Sequence, residues 1–199
     1  MVKEIICAID QHKLWVDSLG EKGEKVNLEE KVIEGEEWEN INLSQASIVD
    51  CVFKGIVIKN WDFYAAILCS TCFEKAWIRS SGFVKANLDY TEFNNTKIQS
   101  TNFSKTELIN AVFKNVELID VKFINSILEN TEFLNMKLKN VDFTGALIEG
   151  TKFNNIIILG EILGLEEAFI KSVNIGTRDE PIYLKEGEAV LYIKNIMRK

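Results

Sequence analysis

The sequence predicts an all-β solenoid, a chain that winds repeatedly around its own core. Three observations predict it. From Ile48 to Ile158 every fifth residue is large and apolar, with no slip in register. Two positions before each of these stands a small residue, as at Ala66, Thr71, Ala76, Ser81 and Ala86, with Ile56, Trp61, Met136 and Ile156 as oversized exceptions. Neither a proline nor an insertion interrupts residues 46–163. A period of five suits neither regular element. On an α-helix successive repeats would stand about 140° apart, and no apolar stripe would form. On a straight strand an odd period sends alternate large residues to opposite faces. All of them can be buried together only if the chain turns once per repeat, with one large and one small side chain inward and three positions outward.

Ahead of the repeats, residues 3–19 read as an amphipathic helix. Val2, Ile5, Ile6, Ile9, Val16 and Leu19 recur at near-helical spacing, and Gly20 and Gly23 stop it. Such a helix is expected to cap the open top of the coil. Residues 26–45 form a first coil in which Leu28, Ile33, Trp38 and Leu43 keep register, yet Lys31 and Glu36 stand at the small inward position. A charge is costly to bury there, so this coil is expected to be distorted or partly splayed. Beyond Leu163 the period is lost. Residues 168–176 read as a strand, and Pro181 falls in a polar turn. Residues 186–198 read as a short helix with Val190, Ile193, Ile196 and Met197 inward. This tail is expected to cover the last coil, where Ile156, Ile162 and Leu163 would otherwise be exposed, and so to favour a monomer. The organisation is one domain: a helical cap over 1–25, the coil over 26–163 and a strand-and-helix cap over 164–199.

The triplets Ala86-Asn87-Leu88, Thr91-Glu92-Phe93, Thr101-Asn102-Phe103, Thr131-Glu132-Phe133 and Val141-Asp142-Phe143, each followed by two polar or turn residues, resemble the pentapeptide-repeat proteins. The resemblance covers Leu28 to Leu163. The lead-in His12-Lys13-Leu14-Trp15, followed by Gly20, Gly23 and Val26-Asn27-Leu28, is similar to that of many members. It implies a right-handed quadrilateral β-helix with four repeats, or twenty residues, per square coil, and hence about seven coils. Twenty residues per coil then sorts the large positions into columns. Phe53, Phe73, Phe93, Phe113, Phe133 and Phe153 fall in one, and Phe63, Phe83, Phe103, Phe123 and Phe143 in the opposite one. Aliphatics such as Leu68, Leu88, Leu108 and Leu128 fill the remaining two. Asn95, Asn115, Asn135 and Asn155 share a corner, where stacked amides can bond from coil to coil.

The residues point away from catalysis. His12 is the only histidine, so any Ser-His, Cys-His or His-metal site would need it, and it lies in the cap helix without an evident partner. Cys69-Ser70-Thr71-Cys72 is a lone C-x-x-C whose thiols point outward across a corner, whereas structural zinc wants two such pairs; Cys51 is a small core residue. No carboxylates form an acid/base pair, and no Gly-rich phosphate loop is present. Neither a cofactor nor a metal is expected. No apolar run spans a membrane, the N-terminal apolar run is too short for a secretory signal, and four unevenly spaced cysteines point to a reducing compartment, the cytoplasm.

The expected function is therefore a protein-interaction scaffold with an unknown protein partner. Its surface is sought at Tyr64, Ile67, Trp77, Arg79, Ile109, Ile127 and Leu147. The resemblance implies an alternative, since several pentapeptide-repeat proteins mimic DNA toward gyrase and other type II topoisomerases. Direct binding to nucleic acid is not expected. The net charge of −7 sits mostly in residues 1–37, which hold ten acidic and five basic residues, among them the cluster Glu29, Glu30, Glu34, Glu36 and Glu37. The coil reads as nearly neutral, with one face basic through Lys59, Arg79, Lys97, Lys137 and Lys139 against Glu117, and no face reads as a phosphate row.

Overall fold

The chain turns a corner at every fifth residue. In the computed structural model, which describes residues 2–35 and 37–197, the last residue of each repeat from Glu30 to Asn155 is left-handed, with φ between 50° and 78°. Asn stands at ten of these corners and Gly at four. Both residues accept this conformation at low cost, which is how so many corners close without accumulating strain.

Coils stack in parallel at a register of twenty: Leu28 lies on Ile48, Phe53 on Phe73, Ile78 on Ile98 and Phe113 on Phe133. The result is a parallel β-solenoid of about seven turns with a helix at each end. It has four faces, I to IV in chain order. Face I is centred on Leu28 and on through Ile148, face II on Ile33 through Phe153, face III on Trp38 through Ile158, and face IV on Leu43 through Phe143. Faces II and III are short strands such as Cys72–Glu74 and Trp77–Arg79. Along the middle of the rod, faces I and IV make single bridges, such as Ile67 to Asn87 and Asp62 to Gly82. Tight turns follow them, closed by Thr71 N–H to the Leu68 carbonyl at 3.2 Å and Ala66 N–H to the Phe63 carbonyl at 3.0 Å.

The expected phenylalanine columns are present. Rings within a column stack at 4.6–5.5 Å. Rings of the two columns meet edge to face at 5.9–6.5 Å. Both are the arrangements that a ring quadrupole favours. The small inward positions are polar in places but satisfied. Thr71, Thr91 and Thr131 each donate a hydroxyl to a carbonyl of the coil before, at 2.7–2.8 Å. The asparagine corner forms a ladder, with Asn115 to Asn95, Asn135 to Asn115 and Asn155 to Asn135 all bonded at 3.0 Å.

The ends depart from expectation. The first coil is not splayed: Asn27, Ile33 and Trp38 pair in register with Ser47, Phe53 and Ile58. Lys31 is exposed instead of inward, because no coil lies above it to hold its side chain in. Glu36 lies outside the described residues. Helix α1 spans Val2–Asp17. Its inward stripe is Ile5, Ala8, Ile9 and His12, while Ile6 is exposed and Leu19, beyond the helix, is 95% exposed. The Val2 side chain is outside the description.

At the other end the coil continues with a slip. Val141 pairs with Ile162, one residue late, and Ile148 with Ile170, two late. The slip turns Leu163 outward beside Asp142, so it is exposed and not the last inward position. The same shift sends Phe169 outward and leaves Ile170 and Val173 to cover the core. A short hairpin, Ser172–Asn174 with Tyr183–Lys185, leads to α2, Glu186–Ile196. Ala189 and Ile193 are its buried residues, Met197 just past its end is buried too, and Ile196 packs half-buried on the core; Val190 is only half-buried, one position off the covered stripe.

Candidate interaction surface

Winding the chain at twenty residues per coil separates the surface charges by face. Face I carries Glu29, Glu30, Asp50, Asp89, Glu107, Glu129 and Glu149, and no lysine or arginine between residues 27 and 150. Counting along the chain hides this row; counting by column would have found it. Among the described residues Lys171, in the C-terminal cap, answers it, through an ion pair to Glu149 at 2.7 Å. Asp89 is fixed in place by accepting the Ile109 N–H at 2.8 Å, and Glu107 by accepting from the Asn87 amide at 3.0 Å.

Face III is less basic over its whole length than its later coils, Ile58 to Ile158, suggest. The first coil supplies its counter-charges: Glu39 pairs with Lys59, and Glu37 with Arg79 at 2.7 Å. Glu117 pairs with Lys97 at 3.5 Å. Asp120, the next corner on this face, accepts from Asn140 at 2.8 Å. Among the described residues four acidic and five basic side chains then share face III, which leaves it near balance.

The seven residues sought as a surface do not form one patch. Ile67, Ile109, Ile127 and Leu147 lie on face I among the carboxylates, with Phe169 continuing the Ile127–Leu147 column. Trp77 and Arg79 lie on face III, the guanidinium 4.5 Å over the indole ring. Tyr64 lies on face IV, where the Lys85 ammonium bonds its hydroxyl at 2.8 Å. Face I is thus the one that brings apolar and charged groups together.

The chemistry-bearing residues are occupied with structure. His12 is fully buried. Its Nδ1 accepts the Val26 N–H at 3.1 Å, tying α1 to the start of the first coil, and its ring stacks on Trp15. Burial pushes its pKa below the ordinary value; the Ser44 backbone opposes this, and the Lys25 charge adds to it. Cys69 and Cys72 lie on adjacent faces, half-buried, the former donating to Asn87 at 3.0 Å. Burial pushes both thiols and Cys51 up, which disfavours the thiolate that metal or redox chemistry would need. Among the described residues, no three His, Cys, Asp or Glu side chains gather as a metal-binding group. No helix there is long and apolar enough to cross a membrane.

A family model described as pentapeptide repeat region matches residues 91–161. That stretch is a pentapeptide-repeat region, and the whole solenoid has the pentapeptide-repeat fold. Solved pentapeptide-repeat structures align with the chain. QnrB1, a plasmid-mediated fluoroquinolone resistance protein, in a trypsin-treated form, aligns with TM-score 0.51 at 18% identity over 73% of this chain and 77% of that one. A pentapeptide repeat protein from the Arabidopsis thaliana thylakoid lumen aligns with TM-score 0.39 at 14% identity, over 63% and 72% of the two chains. HetL, involved in heterocyst differentiation regulation in the cyanobacterium Nostoc, aligns with TM-score 0.24 at 14% identity, over 75% and 86%. At 18% identity the likeness to QnrB1 is one of fold. No curated protein matches this sequence.

Proposed function

We propose that this chain is a non-catalytic, monomeric, cytoplasmic rod that binds a protein partner through face I. One observation carries the reading: seven carboxylates of a single sign run the length of that face, interleaved with Ile67, Ile127 and Leu147. A partner with a basic, partly apolar surface fits such a face. The charge row would steer its approach, and the aliphatic side chains would supply contact area. The absence of catalysis is supported by the structural employment of His12 and by the raised thiols.

The same row favours a second reading, modulation of DNA gyrase by partial DNA mimicry. Seven coils at about 4.8 Å span roughly 29 Å. One strand of duplex DNA places about eight or nine phosphates in that length. Seven carboxylates approach that density, and the fluoroquinolone resistance of QnrB1 is the property of a protein with this fold. Against it stand the isoleucines, which no DNA strand presents.

Reversing Asp89, Glu107 and Glu129 to lysine, all on the surface, tests both readings. The scaffold reading expects wild-type protein to leave gyrase supercoiling unchanged with and without a fluoroquinolone. It also expects a pull-down partner that the triple variant loses. Inhibition or drug protection by wild type that the triple variant abolishes would move the conclusion to gyrase. A partner retained by a folded triple variant would remove face I from either role.

A further inference from the structure

Winding gives face I two outward columns that flank its buried one. The first runs Ile67, Asn87, Glu107, Ile127 and Leu147, and the second Cys69, Asp89, Ile109, Glu129 and Glu149. In the middle coils acid and apolar alternate. Glu107 sits beside Ile109 in one coil, and Ile127 beside Glu129 in the next. Ile67 is 44% exposed, Ile109 and Ile127 are half-buried, and Glu107 is exposed. Asp89 and Glu107 are already held by their bonds from Ile109 and Asn87, so a partner meets them with little ordering left to do. The corner shared with face IV holds Lys85, which bonds Tyr64 of that face, and Lys105, which bounds the acidic strip.

The backbone limits what can lie on this strip. Its groups are spent on neighbouring coils: Ile67 bridges Ser47 and Asn87, and Glu107 bridges Asn87 and Ile127. A partner finds no open strand edge along these coils and must meet side chains. A strand laid along the rod presents same-side residues about every 6.7 Å, against a coil spacing of about 4.8 Å, and over three coils it slips by more than one coil. An α-helix advances about 5.4 Å per turn and departs by only about 2 Å over the same span. Its contact stripe, at i, i+3, i+4 and i+7, is two residues wide, as the two columns are. We infer, building on face I as the partner-binding surface, that this strip takes a basic amphipathic α-helix of the partner, laid along the rod axis. Lysines or arginines of the helix meet Asp89, Glu107 and Glu129, and its aliphatic side chains cover Ile67, Ile109 and Ile127. From Ile67 to Leu147 is four coil spacings, about 19 Å, which takes about thirteen helical residues.

Two dye-labelled peptides of about eighteen residues, long enough for the strip, are titrated with the full chain. Both have one composition, Lys and Leu in an Ala/Gln background. In one, Lys and Leu recur at i, i+3, i+4 and i+7; in the other they fall at every second residue. Anisotropy reads affinity, and circular dichroism reads helix formed in the complex. The helical-period peptide is expected to bind at least about tenfold more tightly and as a helix. Asp89→Asn/Glu107→Gln/Glu129→Gln keeps an acceptor for the Ile109 N–H and should melt as wild type does. It should lose about tenfold in affinity for that peptide, the worth of three surface ion pairs. The charge-matched Glu74→Gln/Glu92→Gln/Glu132→Gln, on face II, should lose less than about twofold. Equal or tighter binding of the strand-period peptide, weakened by the face I variant, overturns the helix and leaves face I as the surface for a basic partner. A complex without helix does the same. Equal losses in the two variants, or no binding of either peptide, overturn the helix and the face I reading together.

Discussion

The coil that holds Phe103 and the coil that holds Trp38 follow one five-residue plan and differ in what lies above them. Leu88, Phe93, Ile98 and Phe103 are covered by a coil on either side and show no exposed surface. In the first coil Lys31 has swung out, Trp38 is half-buried, and a helix replaces the missing neighbour. Backbone pairing is equally regular in both. The repeat therefore fixes the path of the chain, while burial comes from the neighbouring coil. An end coil is only as well packed as its cap.

The largest expected effect tests that difference directly. Phe103 stacks between Phe83 at 4.7 Å and Phe123 at 5.3 Å. Phe103→Ala should cost about 3–5 kcal/mol in denaturant unfolding, since two coils clamp the cavity open. Trp38→Ala removes a larger ring, but one already half in solvent. It should cost less than half as much. Equal costs would mean that the first coil is as rigidly packed as the middle of the rod.

The bond from Val26 N–H to His12 is the weak link of the upper cap. His12→Ala strands a buried donor, which costs about 1–3 kcal/mol. Hydrogen exchange should rise at Val26 and stay slow at Phe103, whose N–H bonds the Lys122 carbonyl at 2.7 Å. Acid should act in the same direction. Because the folded pKa of His12 lies below its unfolded value of about 6.5, the folded state favours the neutral ring. That contribution is complete above about pH 6.5 and is lost progressively as pH falls toward the folded pKa. Val26 exchange that is insensitive to pH between neutrality and mild acid, once corrected for intrinsic rates, would detach His12 from the cap.

Much of this was legible in the sequence because each repeat states its geometry locally. The inward pairs, the phenylalanine columns and the asparagine corner all follow from the period once coils of twenty are granted. What escaped involves residues distant in the chain or at its ends. The charge row of face I appears only when residues twenty apart are read together. Face III looked basic because Glu37 and Glu39 belong to the first coil and meet Lys59 and Arg79 only after winding. The slip that turns Leu163 and Phe169 outward comes from one extra residue between Ile158 and Ile162 and a second between Ile162 and Ile170, where the five-residue period no longer marks which position turns inward. His12 was passed over because a lone histidine on a helix has no visible partner until Val26 is folded back beneath it.

The smallest expected effect sets the two regions against each other at a single corner. Asn115, at φ 56°, donates to Asn95 and accepts from Asn135, each at 3.0 Å. Asn40, at φ 62°, is met by Asn60 from below at 3.0 Å and has no coil above it. Asn115→Ala should cost about 1–2 kcal/mol, combining the left-handed strain of a β-carbon with two exposed amide bonds lost. Asn115→Gly removes the strain and isolates the bonds, at a fraction of that cost. Asn40→Ala should fall below Asn115→Ala by roughly one bond, a few tenths of a kcal/mol in solvent. Alanine costs that match at the two corners, with glycine costing nothing at either, would show that the ladder holds the rod through backbone conformation alone. The amides would then only occupy the corners, and the difference between covered and uncovered coils would reside wholly in the core.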